Sequence, residues 1–470
     1  GVQTCALPIF LLALGSNLPS ANAAPLIYKN CSALNAAYPA GVAKSATASN
    51  RGTGPILRPK VSATIFKANL RLDSDKDGIA CEVLLDRTNE SGNSDSRNEY
   101  AGALSSTDSC KLKESKNITG AGAKGFPIRA ALPEIGDLNI LIAPIDFINA
   151  KGVGVPSKMF ADDLVKIAEW SSFYSRGKST YKASLASKDW IRAPKGADWY
   201  TCAECGKGTA LQKQSRTEAF TELVATLDPL VDFRKVDFIY FVFPYQAERQ
   251  FGTAIQSWPV MIDTNEGPKK LSAYGEMAGF AMPASMDRSK IWDHLIHELL
   301  HYQGFIGHGP LNGSDLGILA NQWGASKSVT GWEAFLAGWF GDAEVLCLDA
   351  SKFTGKATLR LSSIDVFGSN PEVVFVKLSD EELVAIELRT DGLFTRLKDA
   401  RDINASSALT AYKVNVNAEN YRNDSDPESE SKNFWSYIRD AGSVSINKAQ
   451  YKNLSIYKLG DNQVGLEILK

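Results

Sequence analysis

The sequence predicts an α+β protein, and three patterns carry that reading. Apolar runs at residues 138–148 and 236–243 have the length and composition of buried strands. Helical periodicity alternates with them over residues 160–174, 216–227 and 291–306; in the last, Ile291, Trp292, Leu295, Ile296, Leu299 and Leu300 are spaced to pack on a core. Beyond Cys347 the pattern changes to short alternating strands at residues 357–361, 373–378, 383–388, 409–416 and 464–469, which predicts a β-rich C-terminal domain.

These patterns divide the 470 residues. Residues 25–86 form a small first module. Residues 87–125, rich in Asn, Ser, Gly, Lys and Glu with few large apolar side chains, read as a linker. Residues 126–350 hold the alternating layer, a mixed sheet with helices, and residues 351–470 the β-rich domain. The net charge of −2 gives no basic face for a nucleic-acid partner. No apolar run reaches the ~20 residues of a transmembrane helix.

Residues 1–24 read as the remnant of a signal peptide, with apolar residues 10–14 followed by Ala21-Asn22-Ala23 as a small-x-small cleavage site. Residues 1–9 look like a sequencing artefact fused to the gene. The expectation is a secreted protein, extracellular or associated with a cell wall. Cysteine usage agrees: with Cys5 set aside, Cys31, Cys81, Cys110, Cys202, Cys205 and Cys347 form an even set, which in an exported chain reads as disulfides. Cys202 and Cys205 read as a small local disulfide, with a redox motif as the alternative; a zinc knuckle would need a second such pair.

All four histidines, His294, His297, His301 and His308, lie within fifteen positions. His297-Glu298-Leu299-Leu300-His301 places two imidazoles four apart, on one face of a helix, where both reach one Zn²⁺. Glu298 stands beside them as general base for a metal-activated water. His294 is excluded as a ligand, since seven residues of helix put it ~10.5 Å from His301 along the axis; it reads as a neighbour of the site or a surface residue.

The third ligand stays open. His308 follows Gly304 and is the favoured candidate, although the usual spacing for a third histidine falls on Gly307. Glu333, in Gly331-Trp332-Glu333-Ala334-Phe335, is the alternative, and Asp315 a further one. No methionine follows Met286, so the methionine turn found beneath such zinc sites is missing.

The first module has its own metal motif. Asp73, Asp75 and Asp77 alternate and are followed by Gly78, then Glu82. Hard oxygen ligands at this spacing with a turn-forming glycine are how a loop wraps Ca²⁺. Together with Tyr28-Lys29-Asn30-Cys31 and Tyr38-Pro39-Ala40-Gly41-Val42-Ala43, the loop resembles the excalibur domain, a small extracellular bacterial calcium-binding module. The resemblance implies calcium ligands at Asp73, Asp75, Asp77 and Glu82 and a Cys31–Cys81 disulfide. This copy carries a long insert between Lys44 and Val61.

Residues 138–147, 173–178 and 236–244, the zinc motif, and Gly331 to Trp339 resemble, in that order, immune-inhibitor-A-like secreted metallopeptidases. That resemblance spans roughly residues 127–420. It implies a zincin-like catalytic domain followed by a β-rich one, and a zinc endopeptidase acting on protein or peptide substrates. In that family the position of Gly307 is usually Asp. Two rival functions stand beside it: a calcium-dependent surface or matrix-binding protein with an inactive peptidase domain, and a zinc hydrolase acting on cell-wall amides.

Overall fold

The structure is a computed structural model that describes residues 27–31, 34, 38, 41–45, 48, 59–82, 104–114, 122–200, 210–244, 259–278, 290–310, 315–366, 368, 370–400, 403, 405–418 and 434–469. The expected signal remnant and the Cys202–Cys205 pair lie outside them. The chain divides into two compact units, Gly1–Asp86 and Arg87–Lys470.

In the first unit, β1 (Val42–Ala43) pairs in parallel with β2 (Lys60–Val61) and antiparallel with β3 (Ile79–Ala80). Helix α1 (Ala63–Ala68) begins at Ser62, whose hydroxyl accepts from the Ile65 N–H, the usual way to satisfy a helix N-terminus. The core is small: Leu34, Val42, Phe66, Ala80 and Cys81, with Tyr28, Tyr38, Ile65 and Leu72 packed around it. A core of this size needs a covalent staple, and a Cys31–Cys81 disulfide spans the unit.

The second unit is built on two larger sheets. In the first, β5 (Gly136–Asp146) lies between β6 (Ser179–Leu185) and β8 (Phe238–Pro244), all parallel. Next to β8 runs parallel β10 (Gly267–Ala278), and β9 (Val260–Thr264) closes the edge antiparallel, while the short β7 (Ile191–Arg192) extends β5. Alternation along the strands feeds two cores. Leu141, Ala143, Ile239 and Phe241 pack against Phe220, Leu223, Val224 and Leu227 of α3 (Ala210–Leu227). On the other face, Ile140, Ile142, Phe238 and Tyr240 share a core with Ile167 and Trp170 of α2 (Ala161–Tyr174) and with Leu295, Ile296 and Leu299 of α4 (Trp292–Tyr302). Helix α4 is the histidine helix. Its N-terminus is held from outside: Asp163 of α2 accepts from the N–H groups of Ile291 and Trp292, both at 2.9 Å.

The other large sheet runs β16-β15-β14-β13-β11-β4: β16 (Trp435–Tyr437), β15 (Ser407–Asn415), β14 (Glu382–Thr390), β13 (Val373–Lys377), β11 (Val345–Asp349) and β4 (Leu104–Ser105). One face packs on the third, antiparallel sheet of β12 (Gly355–Arg360), β19 (Gln463–Ile468), β18 (Leu454–Lys458) and β17 (Lys448–Tyr451). The opposite face joins the core of the histidine helix through α5 (Gly331–Leu336), where Trp332 and Phe335 meet Phe375 at 5.8 and 5.2 Å between ring centroids.

This sharing explains why residues 87–470 form one unit where the composition suggested a linker and two domains. Strand β11 pairs in parallel with β13 across the expected boundary near residue 350. β4, from within the expected linker, pairs with β11, and Cys110 is bonded to Cys347. Among the described residues, no helix is long and apolar enough to cross a membrane.

Candidate metal centres

Carboxylate oxygens of Asp73, Asp75 and Asp77 lie within 4.8 Å of one another. The loop organises them by its own backbone. Gly78 N–H donates to Asp73 Oδ2 at 3.1 Å, Ile79 N–H to Asp77 Oδ1 at 2.8 Å, and Asp77 N–H to Asp75 Oδ1 at 3.3 Å. Gly78 turns at φ +91°, a conformation open to glycine at no steric cost. Asp73 Oδ1 is buried with no hydrogen-bond partner, which is costly unless a cation takes it. The residues therefore fit Ca²⁺. Glu82 stands outside the 4.8 Å group. Burial, and then repulsion from the three aspartates, raises its pKa, so its carboxylate faces the same negative field and would gain from a cation there.

The second centre lies at the end of α4. One ring nitrogen each from His297, His301 and His308 falls within 4.8 Å of the others. Ring centroids are 5.0 Å apart for His297–His301, 5.1 Å for His297–His308 and 5.0 Å for His301–His308. Two backbone carbonyls orient the first two rings: Ile318 O at 2.8 Å from His297 Nδ1, and Phe305 O at 3.0 Å from His301 Nδ1. A carbonyl only accepts, so each Nδ1 carries the proton and each Nε2 keeps a lone pair. His301 Nε2 and His308 Nε2 face each other at 3.2 Å, close to the ~3.3 Å between two nitrogens on one tetrahedral zinc at 2.0–2.1 Å. Burial and mutual repulsion keep the rings neutral: the pKa of His297 falls well below its ordinary value, that of His301 drops to about 4, and that of His308 is lowered by burial. The neutral imidazole is the metal-binding form. The donor set fits Zn²⁺.

Delivery of His308, one residue beyond the usual spacing, has a local cause. Gly304 leaves the helix at φ +92°, and a Cβ there would sit 2.6 Å from Arg129 O. Gly307 adopts a second positive φ of +79°. The extra residue is thus absorbed in a second left-handed step, and the imidazole returns to the other two.

The alternative ligands are elsewhere. Glu333 is buried in the capping box that opens α5: its Oε2 accepts from Thr330 N at 2.6 Å and Thr330 Oγ1 at 2.9 Å, while its own N–H donates to Thr330 Oγ1. Burial pushes its pKa up to about 7. Asp315 accepts from Asn321 Nδ2 at 3.3 Å and is outside the histidine group. His294, also outside it, is buried; Tyr240 Oη is 2.8 Å from its Nδ1, and its Nε2 is 3.5 Å from Glu298 Oε1. The carbonyls of Ile318 and Phe305, and Asp163 behind the helix, were not foreseen. No residue-type signal marks a backbone carbonyl, and Asp163 lies 128 positions before Ile291.

An acidic loop of this geometry, stapled to a three-stranded sheet, defines a calcium-binding module. Residues 28–82 match the Excalibur calcium-binding domain, so the chain carries one. The chain is also 45% identical over 56 residues to an uncharacterized protein, YhjA, of Bacillus subtilis (strain 168). That stretch is 12% of this chain and 63% of YhjA, so the similarity spans less than two thirds of the relative.

Proposed function

We propose that this chain is a secreted zinc endopeptidase that carries a calcium-binding module. The observation that supports the peptidase reading is the convergence of His297, His301 and His308, with Glu298 next to His297 on the helix. The mixed sheet packed on that helix suits a zincin-like catalytic domain of the immune-inhibitor-A type. A zinc ion in the site supplies Lewis acidity, polarising a scissile carbonyl and acidifying water toward neutral pH. Glu298 takes the proton of the attacking water and passes it to the leaving amine. Ile318 O and Phe305 O hold the histidine rings in the tautomer that presents Nε2. Disulfides and an Excalibur domain suit export, where calcium is abundant enough to fill a modest site.

The test is hydrolysis of casein by the zinc-loaded protein, with metal content measured alongside. Glu298→Gln is expected to keep its zinc and lose about 10²–10⁴-fold in turnover. Retained hydrolysis in that variant refutes the assignment. Release of fragments from peptidoglycan but not casein would move the reading to a cell-wall amide. Bound zinc with neither activity would leave a calcium-dependent binding protein.

A further inference from the structure

His294 lies on the histidine helix four residues before Glu298, outside the ligand group. It is only 9% exposed, and a buried imidazole needs hydrogen-bond partners. Two polar groups lie beside its two ring nitrogens. Tyr240, with its Oη 2.8 Å from Nδ1, stands on β8, where its register opposite Ile142 of β5 and Tyr274 of β10 fixes it in the middle of a sheet. Glu298 Oε1 is 3.5 Å from Nε2. The ring lies nearly parallel to that of His297, at 16°, and the His294 backbone N–H donates to Asp293 Oδ1.

An ionised Glu298 carboxylate only accepts, so a neutral His294 that bonds it carries its proton on Nε2, and Nδ1 then accepts from the Tyr240 hydroxyl. We propose that His294 is a positioning residue for Glu298: its Nε2–H holds the carboxylate at Oε1, and Tyr240 supports that tautomer from the other side of the ring. The proposal rests on the zinc-peptidase reading above. It assigns the fourth histidine of the cluster a task that metal ligation does not cover.

Two measurements test it. In the zinc-loaded protein labelled with ¹⁵N-histidine, His294 is expected as the Nε2–H tautomer, its signals assigned by their loss in His294→Gln; an Nδ1–H tautomer overturns the proposal whatever the activity. In steady-state peptide hydrolysis, His294→Ala is expected to lower kcat about 10- to 100-fold, with KM within twofold and one zinc per chain retained. His294→Gln, whose amide N–H reaches toward Glu298, should recover part of that loss. Tyr240→Phe should cost less, about 3- to 10-fold, and nothing further when added to His294→Ala, because Tyr240 acts through the ring. An unchanged kcat, fully additive losses, or loss of zinc in His294→Ala each overturn the proposal. An active enzyme indifferent to His294→Ala sinks this proposal alone. A zinc-loaded wild type that cleaves no peptide sinks the peptidase reading and takes the catalytic purpose of His294 with it.

Discussion

The two candidate metal centres are built by opposite routes. The aspartate loop draws its ligands from five consecutive positions, Asp73 to Asp77, and its own backbone orients them. Its supporting core is a handful of side chains and one disulfide. The histidine cluster takes two candidate ligands from a buried helix and a third from a double glycine turn, and carbonyls from two separate segments orient the first two rings. The first is organised within one short loop on a small core, the second across distant segments of a large one.

That contrast can be broken most sharply at the histidines. His297→Ala and His301→Ala are each expected to reduce zinc content to near zero with calcium binding unchanged, read by metal analysis of the purified protein. His308→Ala should do the same, and Glu333→Ala should keep full zinc. Full zinc in His308→Ala would show that the third ligand is another group.

Asp163 probes how the core holds the histidine helix. Burial, partly offset by the N–H groups of Trp292 and Ile291, lifts its pKa from 3.8 to about 6. A raised folded pKa means that the folded state binds the proton more tightly. This contribution is therefore fully present below about pH 4 and is lost as pH rises through 6, a change of about 3 kcal/mol. Asp163→Asn keeps an oxygen for both N–H groups and should flatten that stretch of the stability–pH curve in denaturant titrations between pH 4 and 7. An unaltered slope would refute the assignment.

The calcium loop should respond to its ion instead. Calcium at about 100 times its Kd adds about 2.7 kcal/mol to the first unit. Asp73→Asn should weaken calcium binding, measured by calorimetry, and remove most of that gain while zinc content stays constant. A smaller effect is expected at the cap of α5, where Glu333→Ala should cost about 0.5–2 kcal/mol in chemical denaturation.

Legibility followed the same division. The calcium loop could be read because ligand type, spacing and glycine are local, whereas its Cys31–Cys81 disulfide came only through the excalibur resemblance. Strands β5 and β8 and helices α2 and α4 could be read because their apolar periodicity is strong. The β9–β10 hairpin was missed: its strands carry Lys269, Lys270, Asp263 and Thr264, with little alternation. The shared core between α5 and β13 was missed because packing between distant segments leaves no periodic mark. The same reason hid the Cys110–Cys347 pairing, which an even cysteine count permits without specifying. His294 shows the limit on a single helix: rise excluded it from the metal, but its partner Tyr240 lies on a distant strand.

The Cys110–Cys347 bond closes a loop of 237 positions, with both cysteines buried. Any single backbone cut between them leaves two pieces that cannot diffuse apart. A protein nicked there would survive as one covalent particle. It would migrate as a single band without reductant and as two with it.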